Sequence, residues 1–229
     1  AMSDHGFRFS HPRLKDLCFD NYSQSLLERL TRVCKRNGWQ HANSMLRHHY
    51  RMHEEIAALI QHYYQDRLMS SLPQQKENLP PHSNPLLASR VIWIDCPRTT
   101  TPYYDTFQVK LLCHLLDLFQ KEEIIQDYST DIGIVAPYRA MIHAIFQELK
   151  EEQKVITVDT VERFQGSERK NMILTLPIHD NNSLSSLMSL SPDGSVDRKL
   201  NVALSRAQER VLILGNREMC LGSQHFAFL

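Results

Sequence analysis

Apolar runs and amphipathic segments alternate along this chain, and that rhythm predicts most of its elements. The segment SQSLLERLTRVCKRNG, residues 23–38, places Leu26, Leu30 and Val33 at helical spacing, opens on a Ser25/Glu28 capping box and stops at Asn37-Gly38. EEIAALIQHYYQDRL repeats the pattern with Ile56, Leu59, Ile60 and Tyr63. SSLPQQKENLPPHSNP, polar and rich in proline, predicts a surface loop. RVIWIDC reads as a strand, and DTFQVKLLCHLLDLFQKEE as a helix striped by Phe107, Leu111, Leu115 and Leu118. DIGIVAPYRAMIHAIFQELKEE gives strand, Pro137, then helix. KVITVDTVERFQG, KNMILTLPI and RVLILGN supply three further strands, and HDNNSLSSLMSLSPDGSVD, rich in Ser, Asn and Asp, reads as a loop. Runs this continuously apolar are too greasy for half-exposed strands. They predict an α/β fold with a parallel sheet covered by helices on both faces.

Composition narrows the picture. The 229 residues, 42% hydrophobic, suit one large core better than two. Twenty-six Lys plus Arg balance twenty-six Asp plus Glu, so a polyanionic partner would be held by a local patch rather than drawn by a global field. Cys18, Cys34, Cys96, Cys113 and Cys220 are scattered, odd in number and free of C-x-x-C pairs, which points to a reducing compartment and a cytoplasmic location. No apolar run approaches the ~20 residues that cross a bilayer, so no membrane partner is expected.

Ligands of open parallel sheets bind at the carboxyl ends of strands, and the segments after the strands therefore bear the chemical reading. YRMH, APYR and DTVERFQGSER stand out, together with DRKLNVALSRA, which reads as a helix leading into the last strand. Singly, each has an ordinary explanation, since arginines at helix ends are usually solvated and a glycine after a strand usually only turns the chain. HHYRMH adds three histidines, of which His49 and His53 stand at i, i+4. Without an intervening acid or an evident third ligand, no metal site is expected there. His48 and His53 are expected instead to orient the arginine by hydrogen bonds.

Taken together, YRMH, IGIVAPY, TVERFQGSER and RKLNVALSRA followed by VLILGN resemble, in order and spacing, superfamily 1 helicases. The branch is the one that includes the helicase of nonsense-mediated mRNA decay and the nuclease-helicase of Okazaki-fragment processing. The resemblance spans Ser23 to Asn216 and implies a RecA-like parallel sheet, the second of two motor domains, over residues 46–229. Residues 1–45 would then be the tail of a preceding domain and a linker helix. No G-x-x-x-x-G-K-[ST] loop occurs, so ATP and Mg²⁺ would be held mainly by an N-terminal RecA-like domain that this stretch lacks. By resemblance, Arg51 and Arg206 are arginine fingers, Glu168 contacts the nucleotide and Gly166 lets backbone approach it. Thr160, Pro137 and Tyr138 would join the grip on a single strand of DNA or RNA. The chain alone is expected to be inactive as an ATPase.

Several positions depart from the family pattern: His49 stands for a usual glutamine, Glu54 for proline, Lys170 for aspartate, Gln208 for a basic residue and Ser205 for threonine. A catalytically silent helicase-like binding module is the alternative, and retention of both arginines and Glu168 argues against it. A small-molecule enzyme on a doubly wound sheet would need a G-x-G-x-x-G after a strand, and none is present.

Overall fold

Five of the predicted strands lie side by side in one parallel sheet, in the order Val91–Asp95, Ala207–Gly215, Arg169–Leu176, Ile132–Val135 and Thr157–Asp159. The computed structural model describes residues 25–227 except Gln165 and Pro192, so Cys18 and the two ends of the expected segments fall outside the described residues. The chain divides into two units, residues 1–46 and 47–229. In the first, α1 (Leu26–Arg36) begins where Ser25 Oγ accepts from the Glu28 N–H at 3.1 Å, and it ends where Asn37 Nδ2 donates to the Val33 carbonyl. Its Leu26, Leu27 and Leu30 are exposed.

The second unit holds the sheet. β3 (Val91–Asp95) and β5 (Thr157–Asp159) are its edges, while β4 (Ile132–Val135), β6 (Arg169–Leu176) and β7 (Ala207–Gly215) lie inside. Side chains alternate between two cores as a strand's period of two requires. From β7, Val211 and Ile213 enter one core, and Leu212 and Leu214 the other. Helices α2 (Glu54–Ile60) and α8 (Arg198–Leu204) cover the first core with Ile56, Ile60, Leu200 and Leu204. Helices α4 (Thr106–Lys121) and α6 (Arg139–Glu148) cover the second with Leu112, Leu116, Phe119, Met141 and Ile145. The α/β architecture with helices on both faces is therefore as the apolar runs predict. The short helices α3 (Pro85–Ala88), α5 (Tyr128–Asp131) and α9 (Arg217–Cys220) finish connections.

Four expectations need correction. The stripe on α4 is rotated: Leu115 is buried, Leu111 and Leu118 are only partly so, and Phe107 is 48% exposed. Gln108 takes the inner face instead, donating Nε2 to the Leu176 carbonyl and accepting the Leu176 N–H, which caps β6 with an amide. The second predicted helix ends at Ile60 and tightens into a 3₁₀ turn over Gln61–Tyr64. Within the supposed loop after β6, α7 (Asn181–Leu187) forms because Asp180 accepts from the Ser183 N–H at 2.7 Å and Ser183 Oγ accepts from the Asp180 N–H in return. The proline-rich segment is not wholly on the surface, since Gln75 is buried within it.

Candidate functional site

The site residues separate onto opposite edges of the sheet. Arg206 immediately precedes β7 and Glu168 immediately precedes β6, so both stand at the amino edge; the β6–β7 pairing begins at Arg169 opposite Ala207 and brings them together. Arg51 arrives from the turn between β1 (His48–His49) and α2. For Glu168 the expectation of a place just after a strand is thus corrected, because the chain runs back across the sheet between β5 and β6 before it is reached, whereas Arg206 stands between a helix and the last strand as that segment was read.

At that edge Arg51 Nε donates to Glu168 Oε2 in a short ion pair, and its Nη1 donates to the Ser205 carbonyl at 3.1 Å. Glu168 Oε1 accepts from Gln208 Nε2 at 2.9 Å. Arg206 Nε donates to the Val202 carbonyl at 3.3 Å and its Nη1 to the Ser167 carbonyl at 3.5 Å. The Arg51 hydrogen bond, with its charge, holds the Glu168 carboxyl below the usual range. Burial first, and then the like charge of Arg51, lower the Arg206 pKa, with Glu168 opposing. Arg51 is thus paired with Glu168 while Arg206, close enough to feel both charges, bonds only backbone carbonyls; Arg51 also borders an open cleft with Tyr50, His53, Arg90, Gln208 and the carboxylates Glu77 and Glu209. Two guanidinium groups so placed suit an anion with several oxygens.

The turn bearing Arg51 is held from both sides. His49 and Ser70 pair in a two-stranded parallel ribbon of β1 with β2 (Met69–Ser70). Gln75 donates Nε2 to the Met52 carbonyl at 2.8 Å and to His49 Nδ1 at 3.0 Å, while its Oε1 accepts the Ser71 and Leu72 N–H groups. The His53 N–H donates to the Gln208 carbonyl at 2.8 Å, its Nδ1 caps α2 by accepting from Glu55, and its Nε2 meets the Glu77 carbonyl. His48 Nδ1 lies 3.0 Å from Ser71 Oγ. None of these histidines bonds Arg51 itself, so the expected direct orientation of the guanidinium gives way to fixation of its backbone. His49 and His53 also do not share a helix: one is in β1 and the other is the cap of α2. Among the described residues no group of three His, Cys, Asp or Glu side chains is placed to hold a metal.

Both rings use Nδ1 as an acceptor, and burial lowers both pKa values. A histidine that stays neutral in the fold but is free to charge when unfolded contributes stability that is present above ~6.5 and is lost as pH falls below it. The urea midpoint is accordingly expected to drop between pH 7 and pH 5, before the depressed carboxylates titrate. A midpoint unchanged over that interval would contradict the assignment.

Gly166 has φ +91°, and a Cβ there would meet nothing within 4 Å. The residue is glycine for its backbone angle, not for crowding within the chain. Lys170 pairs with buried Asp131 at 2.8 Å. Gln208, noticed in the sequence only as a departure, supplies Glu168 with its second partner; its place two residues after Arg206 on a strand is the signal that could have assigned it.

Thr160, Pro137 and Tyr138 stand at the carboxyl edge, following β5 and β4. Pro137 and Thr160 line one cavity, walled by Leu176, Leu187 and Leu200. Tyr138 is half buried as the cap residue before α6, and its hydroxyl lies 2.7 Å from Ser186 Oγ.

A family model described as an AAA domain matches residues 22–218. The chain is 32% identical over 208 residues to a probable helicase of Dictyostelium discoideum, covering 85% of this chain and 20% of that protein. Helicase sen1 of Schizosaccharomyces pombe is 26% identical over 210 residues, covering 86% of this chain and 12% of its own. Human senataxin, named a probable helicase, is 28% identical over 218 residues, 90% of this chain and 8% of its own. The chain thus spans a fifth or less of the length of these relatives.

Proposed function

Because this chain belongs to the AAA-domain family of superfamily 1 helicase C-terminal domains, we propose that it is the second RecA-like half of an ATP-driven translocase. In this reading it faces ATP held by an N-terminal motor domain, and it carries part of the grip on a single strand of DNA or RNA. The observation that carries the proposal is the convergence of Arg51 and Arg206, remote in sequence, on the neighbourhood of Glu168, with Arg51 also bordering an open cleft.

The residues present fit a triphosphate. Arg51 and Arg206 would hold its terminal phosphate, with Glu168 and the backbone at Gly166 bordering the nucleotide. No acidic pair belongs to this group, so Mg²⁺ would be held by the facing domain. When bound, the nucleotide supplies a phosphoryl group whose transfer spreads negative charge over the γ-phosphate oxygens. Arg51 and Arg206 stabilise that charge, and their planar forks fix its orientation. Arg51 gives up Glu168 as it does so, and the carboxylate keeps Gln208 as its remaining partner. At the carboxyl edge, Thr160 and the Pro137–Tyr138 turn contact the strand mainly at phosphates, so that binding depends on salt and not on sequence. Closure of the cleft then moves one grip relative to the other.

The isolated 229-residue chain is expected to hydrolyse no ATP and to bind single strands weakly, with affinity falling as salt rises. Robust turnover by the chain alone would overturn the half-motor reading. Turnover that stays absent when a phosphate-binding motor domain precedes it would favour the silent binding module.

A further inference from the structure

The carboxyl edge presents an aromatic ring that the grip described above leaves unused. Tyr103 lies in the connection from β3 to α4; it is 58% exposed, and its backbone occupies the left-handed region at φ +71°. A bulky side chain adopts that conformation only where its surroundings over-determine it, and such residues gather at ligand clamps. Here Thr99 Oγ1 accepts the Thr101 N–H at 3.2 Å and approaches the Tyr104 carbonyl at 3.4 Å, while buried Asp105 caps α4 through the Phe107 and Gln108 N–H groups. The connection is therefore pinned on both sides of Tyr103. Its ring stands perpendicular to that of Tyr138, with centroids 5.2 Å apart, and Tyr138 is itself fixed through Ser186. The contact sets the tilt of Tyr103 and leaves more than half of it in solvent.

Two exposed cations belong to the segments that carry these rings. Arg98, exposed in the same connection, spends only Nε on the His179 carbonyl at 2.8 Å. Arg139, also exposed, directly follows Tyr138, and among the described residues neither arginine forms an ion pair. A rigid exposed aromatic, with guanidinium groups that form no ion pair in its own connection and directly after its partner ring, is the composition of a surface for unpaired nucleotides: bases stack on the ring and phosphates meet the cations.

We propose that Tyr103 is a stacking platform for one base of a bound single strand, with Arg98 and Arg139 taking neighbouring phosphates. The inference rests on the reading that the carboxyl edge grips single-stranded nucleic acid. Because every base has a π face, the platform tolerates all sequences.

The test is anisotropy titration of the full 229-residue chain at low salt with a labelled oligodeoxythymidine and an abasic strand of equal length. The wild-type chain should prefer the thymidine strand, since both offer the same phosphates. Tyr103→Ala should weaken thymidine binding by about 5- to 150-fold, the range that loss of one stacked base implies, and abolish the preference. Tyr103→Gly, which suits the positive φ, should lose as much, and Tyr103→Phe should retain binding. Thymidine binding unchanged in both Tyr103→Ala and Tyr103→Gly, with the preference kept, would overturn the platform while leaving the grip in place. A wild-type chain that binds neither strand in a salt-dependent way would remove the grip and the platform together.

Discussion

Replacing Arg51 or Arg206 by alanine, in a protein that also carries the phosphate-binding motor domain, should lower ATP turnover by about 10³- to 10⁵-fold, the range an arginine finger supplies. The fold should survive both changes. Arg51 is about one-third exposed and its partner Glu168 nearly half exposed, and ion pairs so open to water contribute little to stability. Arg206 bonds only backbone carbonyls of its own neighbourhood, which water can satisfy. Lysine at either position should restore little, because an ammonium cannot engage two phosphate oxygens as a fork does. The measurement is strand-stimulated turnover at saturating ATP, read beside the thermal unfolding midpoint. Near-normal turnover in both alanine variants would remove the assignment of these residues as fingers; a collapsed midpoint would show that they act through the fold.

The second large effect is expected in the core. Phe164 is fully buried in the crossover from β5 to β6, and its ring closes over Gly133 so tightly that a Cβ on the glycine would come within 2.9 Å of it. Its carbonyl accepts both the N–H and the hydroxyl of Ser167, which leads directly to Glu168. Phe164→Ala should cost about 3–5 kcal/mol, as loss of a buried phenyl ring does. For a unit of this size the unfolding midpoint should fall by roughly 6–20 °C. A fall of only a degree or two in calorimetry would mean that the crossover repacks. Because the same residue anchors the segment bearing Gly166 and Glu168, turnover by the protein that also carries the phosphate-binding motor domain should fall at temperatures where the variant is still folded.

How much of this was legible beforehand depends on what the sequence pattern encodes. The interior strands were plain because each carries a continuous apolar run, Met172–Leu174 in β6 and Val211–Leu214 in β7, that is hydrophobic on both faces. The face of α4 was misjudged because periodicity counts apolar residues, whereas Gln108 is drawn inward by the two hydrogen bonds of Leu176. Helix α7 was hidden by its Asn and Ser content, although the Asp180/Ser183 pair that starts it was in view. The convergence of Arg51, Glu168 and Arg206 could not be read from spacing, since they come from three separate parts of the chain; only the family resemblance suggested it. Their place at the amino edge, and the service of the histidines to the backbone instead of the guanidinium, required the topology.

The two sets of proposed site residues occupy opposite rims of one sheet, linked by β6, whose eight residues measure about 26 Å at ~3.3 Å per residue. Packed on both sides and paired in unbroken register with β7 from Asn171 to Leu176, beyond an irregularity at its amino end, that strand acts as a stiff beam. Under the proposed function, work done at the amino rim would thus reach the far rim as rotation of the whole body, and the length of a step would be set by the lever arm and the angle of the hinge, not by any rearrangement inside the domain.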